Sequence, residues 1–230
     1  EERLGFDEYR ARQELDPPPT EVARTFADFL EEYDHEQPFY AQIGFGITHR
    51  RWDAYDTESD DELGVTVPPH LVDNEAARKD LAQLQGAVKH LDLAVGMILD
   101  AVKTAGHEQD TLVIYTTDHG LEVPRAKWHL YDPGIEVAFI LRAPGLGIDG
   151  GKRCPQLLSN VDVTPTLFEL IGEKAPGYMQ GHSFADALRN PASAQGRDAV
   201  FAEFVGGGAN PEARCVRTEH YKLIHNFTNH

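Results

Sequence analysis

Two short apolar runs, at residues 111–117 and 134–145, constrain most strongly what this chain can fold into. They read TLVIYTT and GIEVAFILRAPG, and neither alternates apolar with polar residues as a half-buried strand would. Both faces of each strand are therefore predicted to be buried, as in a largely parallel sheet that is covered by helices. The first run leads directly into Asp118, His119 and Gly120, which places polar groups at the end of a strand.

One long helix is predicted over residues 74–105, ending at Gly106. Its apolar residues recur at alternating spacings of three and four, which produces one continuous stripe. The stripe comprises Leu81, Leu84, Val88, Leu91, Val95, Ile98 and Val102. Two shorter helices are predicted, one with Thr20 as its N-cap residue and one over 165–171 with Thr164 as N-cap and a proline in its first position.

Three further segments are predicted to contain strands. Residues 39–45 form an apolar run, and AVFAEF and CVRTEHYKLIHNF follow late in the sequence, the latter as a hairpin that turns at TEH. Residues 48–70 are polar, carry two prolines and show no clean period, which predicts a long surface loop. The order β-α-β-β-α-β-β predicts an α/β fold with helices on both faces of a mostly parallel sheet. That sheet is predicted to contain 39–45, 111–117 and 135–142.

Composition narrows the classes of partner. The formal net charge of the 230 residues is −17, which argues against a uniform basic face for nucleic acid. No apolar run approaches the ~18 residues that a membrane helix needs. The two cysteines, Cys154 and Cys215, lie far apart and lack the spacing of a metal site. We therefore expect no nucleic-acid partner and no membrane span.

Asp118 and His119 form the first candidate site. Carboxylate and imidazole groups are both metal ligands, and a chain that turns at Gly120 can direct two adjacent side chains to one point. Strand ends are also where α/β proteins concentrate their chemistry. The alternative for an isolated Asp–His pair is a carboxylate that stabilises the turn beside a solvated histidine.

A basic group follows the apolar run at 39–45. His49 lies beside Arg50 and Arg51, and guanidinium groups pair bidentately with the oxygens of sulfate-like or phosphate-like anions. Lys127, a few residues after the Asp–His pair, is suited to neutralise charge that develops on a transferring group. The alternatives are a basic loop that balances nearby acids and a solvated surface lysine.

The blocks of this sequence, taken in order, resemble the sulfatases of the alkaline phosphatase superfamily. TLVIYTTDHG, PRAKWHLYDPGIEVAFILRAPG, LLSNVDVTPTLFELIG, GHSFADAL and VRTEHYKLIHNF are similar to successive sulfatase blocks, in family order and at family spacing. IGFGITHRRWD resembles the block whose histidine contacts the sulfate group, and LAQLQGAVKHLDLAVGMILDAVKTAG resembles the long helix before the metal strand. VPPHLVDN and PRAKWHLYDPGI are most similar to the heparan N-sulfatase, or sulfamidase, branch.

This resemblance implies an alkaline phosphatase-like α/β fold and the hydrolysis of sulfate esters or N-sulfate groups. Asp118 and His119 would be ligands of a divalent metal. His49 and Lys127 would be catalytic residues that contact the sulfate oxygens and assist the leaving group. The further substrate contacts that we expect are Arg50, Arg51 and His129. The implied partner is a small sulfated compound, with sulfated sugars among the candidates.

The identity of the implied metal depends on His119. The family's metal is Ca²⁺, which prefers oxygen ligands, and the sulfamidase branch usually has Asn at this position. An imidazole there suits a transition metal better. The DHG form also occurs in related phosphatases and phosphonate hydrolases, so hydrolysis of phosphorus esters is the alternative activity.

Two blocks of the family have no counterpart in these 230 residues. Sulfatases use a formylglycine made from Cys or Ser in a C/S-x-P-S-R block, and neither Cys154, Cys215 nor any serine fits that pattern. The first strand of the family, with its paired metal aspartates, is also missing, and a small C-terminal subdomain would follow the last strand. The sequence is therefore interpreted as one sulfatase catalytic-domain segment over residues 1–230, incomplete at both ends and without a nucleophile.

Such a segment is expected to be inactive alone, because the nucleophile carries the covalent step. A formylglycine is expected only in the missing N-terminal part. The third interpretation is a non-catalytic remnant that binds anions. The sequence leaves the oligomeric state and the compartment open, although members of the family are often periplasmic, secreted or lysosomal.

Overall fold

The computed structural model describes residues 5–10, 17–52, 57–192, 194–206 and 212–227. The chain divides into two compact units, Glu1–Glu108 and Gln109–His230. Within the described residues, the first unit contains two α-helices, and the second contains three α-helices and five strands. No helix in these ranges is both long and apolar enough to span a bilayer.

The first unit is built on two packed helices, α1 (Pro19–Glu32) and α2 (Glu75–Thr104). Their shared core consists of Ala23, Phe26, Leu30, Ala94, Ile98 and Val102. The long helix predicted over 74–105 is confirmed, with the Asn74 side chain accepting the Ala77 N–H as its N-cap. The predicted Thr20 cap is wrong, because α1 already begins at Pro19, whose fixed φ suits the first helical turn.

Residues 39–45 were predicted to form a strand, and this prediction is wrong. The segment is not part of any strand among the described residues. Its apolar side chains Phe39, Ile43 and Phe45 instead pack against the two-helix core, while Tyr40 is 71% exposed. An apolar run specifies which side chains are buried, but it does not specify a hydrogen-bonded neighbour for the backbone.

In its described part, residues 48–52 and 57–70, the predicted loop at 48–70 contributes to no α-helix or β-strand. Residues 53–56 lie outside the described residues. Its second half is held against α2. The Asp60 N–H donates to the Ala82 carbonyl at 2.9 Å, and the Lys89 Nζ lies 3.1 Å from Asp60 Oδ2. Gly86 provides the space for this contact, because a Cβ there would lie 1.9 Å from the Glu58 carbonyl oxygen.

The second unit begins with strand β1 (Val113–Thr116), which pairs with β2 (Phe139–Arg142). The pairing is antiparallel, with Val113 opposite Arg142, so the predicted parallel arrangement of these two runs is wrong. The connection contains only a four-residue helix, α3 (Asp132–Ile135), and no crossover helix. Ile140 is 64% exposed, so β2 is also not buried on both faces.

Helix α4 (Val163–Leu170) confirms the third predicted helix but not its cap, because Thr164 lies inside the helix and Asp162 precedes it. The Asp162 side chain is 2% exposed and accepts hydrogen bonds from the Arg197 guanidinium and the His182 N–H. Burial alone would raise the pKa of Asp162, but these hydrogen bonds outweigh it and hold the pKa below its usual range. The short helix α5 (Ala185–Arg189) follows.

The unit ends in a three-stranded antiparallel sheet of β3 (Val200–Phe204), β4 (Ala213–Arg217) and β5 (Lys222–Asn226). The predicted strand AVFAEF and the hairpin turning at TEH are both confirmed. All strand pairs among the described residues are antiparallel, which corrects the prediction of a mostly parallel sheet.

Candidate functional site

Asp118 and His119 lie where the chain leaves β1. The His119 N–H donates to Asp118 Oδ1 at 2.9 Å, and the side chain of His119 folds back so that its Nε2 lies 3.4 Å from Asp118 Oδ2. The Asp118 carboxylate is 84% exposed. A separation of 3.4 Å suits two ligand atoms of one ion, since metal–ligand bonds to these groups measure about 2.0–2.6 Å.

The tautomer of the neutral His119 ring follows from the contact that its second ring nitrogen makes. Nδ1 lies 2.7 Å from the Gly120 carbonyl oxygen, and we assign the proton to Nδ1 because a carbonyl can only accept. In the neutral ring, Nε2 then carries the lone pair that a metal requires. His49 and His129 share this arrangement, with Nδ1 at 2.8 Å from the Arg50 carbonyl and 3.1 Å from the Lys127 carbonyl.

A close backbone approach fixes the turn after the Asp–His pair. The Gly120 N–H donates to the Gly134 carbonyl at 3.0 Å, and a Cβ on Gly120 would lie 1.7 Å from the Pro133 carbonyl oxygen. Gly134 is equally enclosed, since its Cβ would lie 2.2 Å from the His129 carbonyl oxygen. Gly120 thus allows Pro133 and Gly134 to lie against the turn after β1, and Gly134 in turn allows close approach of the segment that carries Lys127 and His129.

Lys127 is held within the loop that follows. Its side chain is 10% exposed, and its Nζ lies 3.1 Å from Glu122 Oε2 and 5.6 Å from the centre of the Trp128 ring. The flanking residues Arg125 and Trp128 have φ values of 63° and 68°, a region that bulky residues rarely adopt. Such strain concentrates at sites where a side chain must be aimed, which supports a functional interpretation of this loop.

The far end of the same loop is anchored to the C-terminal sheet. The Lys222 ammonium group pairs with Asp132 and also donates to the Leu130 carbonyl at 3.0 Å, while the Arg217 Nε lies 3.6 Å from Asp132 Oδ1. The hydrogen bond from Lys222 is the main reason that the pKa of Asp132 lies below its usual range. Leu130 adds an apolar contact with Ala213 and Cys215.

The second group of predicted residues lies in the first unit. Arg50 is engaged by Asp80 through two parallel hydrogen bonds of 3.0 and 2.7 Å, and its guanidinium lies 4.5 Å above the ring centre of Trp52. Trp52 is 2% exposed and donates its indole N–H to the Thr48 carbonyl. His49 and Arg51, the sequence neighbours of Arg50, are exposed.

The structure brings the side chains of Asp118 and His119 together, and Lys127 and His129 lie in the loop that follows them in the sequence. Their convergence with His49 and its neighbours, which belong to the other unit, stays a prediction. Sequence reasoning missed three partner acids, namely Asp80 for Arg50, Glu122 for Lys127 and Asp132 for the loop anchor. The only signal for Glu122 was an acid five residues before a lysine.

The donors at the end of β1 fit a divalent cation as a pair. A carboxylate oxygen is a ligand for Ca²⁺, and an imidazole nitrogen favours a transition metal. In the part of the chain that the structure describes, no cluster of three or more His, Cys, Asp or Glu side chains is arranged around one point. A cation held at this point would therefore receive two ligands from the described residues, one suited to Ca²⁺ and one to a transition metal.

Two family models match this sequence. The model described as sulfatase matches residues 4–173, and the model described as N-sulphoglucosamine sulphohydrolase, C-terminal, matches residues 123–230. The first match extends across both compact units. The second includes the loop with Lys127, the helix α4 and the C-terminal sheet.

Similar curated proteins and solved structures are sulfatases and related hydrolases. The chain is 32% identical over 162 residues to an ulvan-active sulfatase of Formosa agariphila, covering 70% of this chain and 26% of that protein. It is 26% identical over 246 residues to the N-sulphoglucosamine sulphohydrolase of Homo sapiens, covering 90% of this chain and 47% of that protein. The chain therefore spans about a quarter to a half of the length of these relatives.

The fold is similar to that of a protein solved in complex with its substrate D-glucosamine-2-N,6-O-disulfate. The TM-score is 0.77 at 17% identity, with 94% of this chain and 62% of that chain covered. The phosphonate monoester hydrolase of Agrobacterium radiobacter gives a TM-score of 0.67 at 20% identity, with 89% and 51% covered. At such identities the likeness shows the fold, which confirms the predicted alkaline phosphatase-like α/β class.

Proposed function

The chain belongs to the sulfatase family, and from this premise we propose that it supplies the metal- and sulfate-binding part of a hydrolase that cleaves sulfate esters or N-sulfate groups. The observation that supports this most is the local geometry after β1. Asp118 Oδ2 and His119 Nε2 lie 3.4 Å apart, with the proton of His119 assigned to the other ring nitrogen.

In this proposal, Asp118 and His119 hold a divalent metal, with Ca²⁺ as the family's ion and a transition metal as the alternative that His119 favours. When bound, such an ion would polarise the oxygens of the sulfate group. In the neutral ring, the Gly120 carbonyl accepts the Nδ1 proton and so leaves the lone pair of His119 on Nε2. Asp118 keeps Oδ2 for the ion, because Oδ1 is the oxygen that accepts the His119 N–H.

Lys127 and His49 are proposed as the catalytic residues that contact the sulfate oxygens. Lys127 brings a positive charge on a side chain that is largely shielded from water, and its Nζ would have to exchange the ion pair with Glu122 at 3.1 Å for the sulfate oxygens. Arg51 and His129 are proposed as further substrate contacts. Arg50 is the weaker candidate, because its two-pronged hydrogen bond with Asp80 already occupies the face that would bind an oxyanion.

The nucleophile of the proposed reaction is not among these 230 residues, since no Cys or Ser lies in a C/S-x-P-S-R block. The covalent step would depend on such a residue, and the 230-residue chain is therefore proposed to be inactive alone. The domain assignment stays a proposal as well, namely one catalytic-domain segment over residues 1–230.

A small sulfated sugar is the proposed substrate class. This follows from relatives named for action on ulvan and on N-sulphoglucosamine, and from a similar fold that was solved with glucosamine disulfate. Hydrolysis of a phosphorus ester is the alternative, and the one observation in its favour is the imidazole of His119 beside Asp118.

The coding DNA upstream of Glu1 provides the first test. An in-frame C/S-x-P-S-R block would allow the longer product to be assayed with an aryl sulfate, N-sulfoglucosamine and an aryl phosphonate. We expect turnover of a sulfated substrate by the longer product, loss of turnover in Asp118→Ala and in Lys127→Ala, and no turnover by the 230-residue chain.

Three results would contradict the proposal. A start codon directly before Glu1 would indicate an anion-binding remnant. Turnover of the phosphonate alone would support the alternative activity. Turnover by the 230-residue chain that is lost in Asp118→Ala would show that the nucleophile lies within these residues.

A further inference from the structure

Two imidazoles meet just after the C-terminal ends of α1 and α2, and the proposed function uses neither of them. The Nδ1 atom of His35 lies 2.8 Å from Nε2 of His107, and the ring centres are 5.0 Å apart. Both residues lie in the same compact unit. Both follow a helix in the sequence, and each is succeeded by Glu and Gln.

The backbone that carries His107 is fixed by the way α2 ends. Gly106 has a φ of 86°, and its N–H donates to the Lys103 carbonyl at 3.0 Å, while the His107 N–H donates to the Val102 carbonyl at 3.0 Å. This is the Schellman arrangement, in which a left-handed glycine satisfies the last carbonyls of a helix. His107 therefore leaves the helix in a defined direction.

The backbone that carries His35 is fixed by the turn after α1. The Glu36 N–H donates to Asp34 Oδ1 at 3.2 Å, and the Tyr33 hydroxyl donates to the Gln37 carbonyl at 2.8 Å. The Tyr33 ring contacts His35 edge-on at 5.9 Å, and the Phe39 ring contacts His107 in the same way at 6.1 Å. Both imidazoles are thus placed by ordered neighbours.

From this juxtaposition we propose that His35 and His107 form a binding site for a divalent transition metal. A metal bonded to an imidazole nitrogen at about 2.0–2.1 Å lies roughly 3.2 Å from the ring centre. Two ring centres that are 5.0 Å apart then subtend roughly 100° at the ion. This angle lies between the square-planar and tetrahedral values, so the present separation of the two rings is compatible with one shared ion once both nitrogens are turned toward it.

The chemistry of the pair suits an imidazole-preferring ion such as Ni²⁺, Cu²⁺ or Zn²⁺. In the neutral pair, one nitrogen donates its proton to the other, and binding requires both nitrogens to be unprotonated. The donor ring meets this requirement by moving its proton to its other nitrogen, so no proton has to leave the pair. The flanking acids Asp34, Glu36 and Glu108 favour the approach of a cation.

A bound ion would cross-link the segments that follow the C-terminal ends of the two helices. Two imidazoles are its ligands from the described residues, and water would complete the coordination. Because the ion binds the folded unit, its presence raises the stability of that unit by mass action. This property makes the site measurable without any enzymatic assay.

The test is a calorimetric titration of the 230-residue chain with Ni²⁺, together with thermal unfolding in the presence and absence of the ion. We expect saturable binding with a rise in Tm that EDTA reverses. His35→Gln and His107→Gln each keep a polar side chain but remove a ligand, and each should weaken Ni²⁺ binding at least tenfold. His220→Gln, at a hairpin position that is 74% exposed, is the matched control and should bind like the wild type.

Two further measurements keep the outcome unambiguous. Asp118→Ala should retain the Ni²⁺ effect, which separates this site from the one proposed at the end of β1. In the NMR spectrum of the wild-type chain, the ring signals of His35 and His107 should broaden first as the paramagnetic ion is added. Unchanged affinity in both Gln variants, or broadening that begins at other histidines, would overturn the proposal.

Discussion

Replacement of Gly120 by alanine should damage the site more than alanine at any other described glycine of the second unit, because its Cβ would make the shortest contact. A Cβ at this position would lie 1.7 Å from the Pro133 carbonyl oxygen and 2.9 Å from the Gly134 Cα, and both neighbours are backbone atoms. Real Cβ contacts are essentially never shorter than 3.0 Å, so the two segments must separate by at least 1.3 Å. The Gly120 carbonyl that orients the His119 ring moves with them.

The magnitude follows from two contributions. Overpacking of a tight contact costs about 1–3 kcal/mol, and the loss of the hydrogen bond from Gly120 to Gly134 costs about 1 kcal/mol. We therefore expect the free energy of unfolding of the second unit to fall by roughly 2–4 kcal/mol. Disturbing a group that orients a metal ligand lowers affinity by about 10–100-fold, and a loss in this range is expected for Ca²⁺.

Circular dichroism during urea unfolding measures the stability of the variant, and a calorimetric titration measures its Ca²⁺ affinity. Gly177→Ala is the matched control, because a Cβ there meets nothing within 4 Å and its stability should change by less than about 0.5 kcal/mol. If Gly120→Ala matched Gly177→Ala in both stability and Ca²⁺ affinity, the close approach would have no role in building the site.

Two other predictions concern stability. Within α2, Gly86→Ala should destabilise the first unit by about 1–3 kcal/mol, because its Cβ would meet the Glu58 carbonyl. Gly96→Ala, whose Cβ would meet open space, should stabilise the same unit by up to about 1 kcal/mol. Urea unfolding of the two variants would show whether their stabilities change in opposite directions. Asp162→Asn should cost about 3 kcal/mol, because the amide removes the buried negative charge that pairs with the Arg197 guanidinium. Because the folded pKa of Asp162 is lowered, its contribution to stability is fully present above the unfolded pKa and is lost as pH falls through the folded pKa. Acid unfolding curves of the variant should therefore be flatter than those of the wild type, and equal slopes would contradict this.

The helices could be predicted from the sequence because their signals are local. The stripe from Leu81 to Val102 and the glycine at 106 determine α2 within one residue at each end. The caps were less predictable, since Thr20 and Thr164 are both followed by a favourable helical pattern but a neighbouring residue begins each helix. A cap depends on which residue leaves the helical conformation, and the pattern alone does not report that.

The sheet could be predicted only in part. Apolar runs identified β1 and β2, but they carry no information on strand direction, which depends on the connection through α3. The run at 39–45 is buried on one side by helices, without a strand partner among the described residues. Both errors arise because side-chain burial and backbone pairing are separate properties.

The residue types of the candidate site could be predicted from the sequence, but the contacts between their side chains could not. The sequence places Asp118 beside His119, yet the folding back of Nε2 depends on the backbone at Gly120. The partner acids Asp80 and Glu122 are separated from Arg50 and Lys127 by thirty and five residues, and only the folded chain brings them together. These pairs decide which cations are available to a substrate, so they matter for function as much as the cations do.

The most direct test of the central claim is a calorimetric titration of the 230-residue chain with sulfate, in the presence and absence of Ca²⁺. We predict weak saturable binding that Ca²⁺ strengthens, with the Ca²⁺ dependence lost in Asp118→Ala and sulfate affinity reduced at least tenfold in Lys127→Ala. The exposed Lys174 provides the control, and Lys174→Ala should bind sulfate like the wild type. Equal binding by all four proteins, or no binding by any of them, would contradict a metal-linked sulfate site at the end of β1.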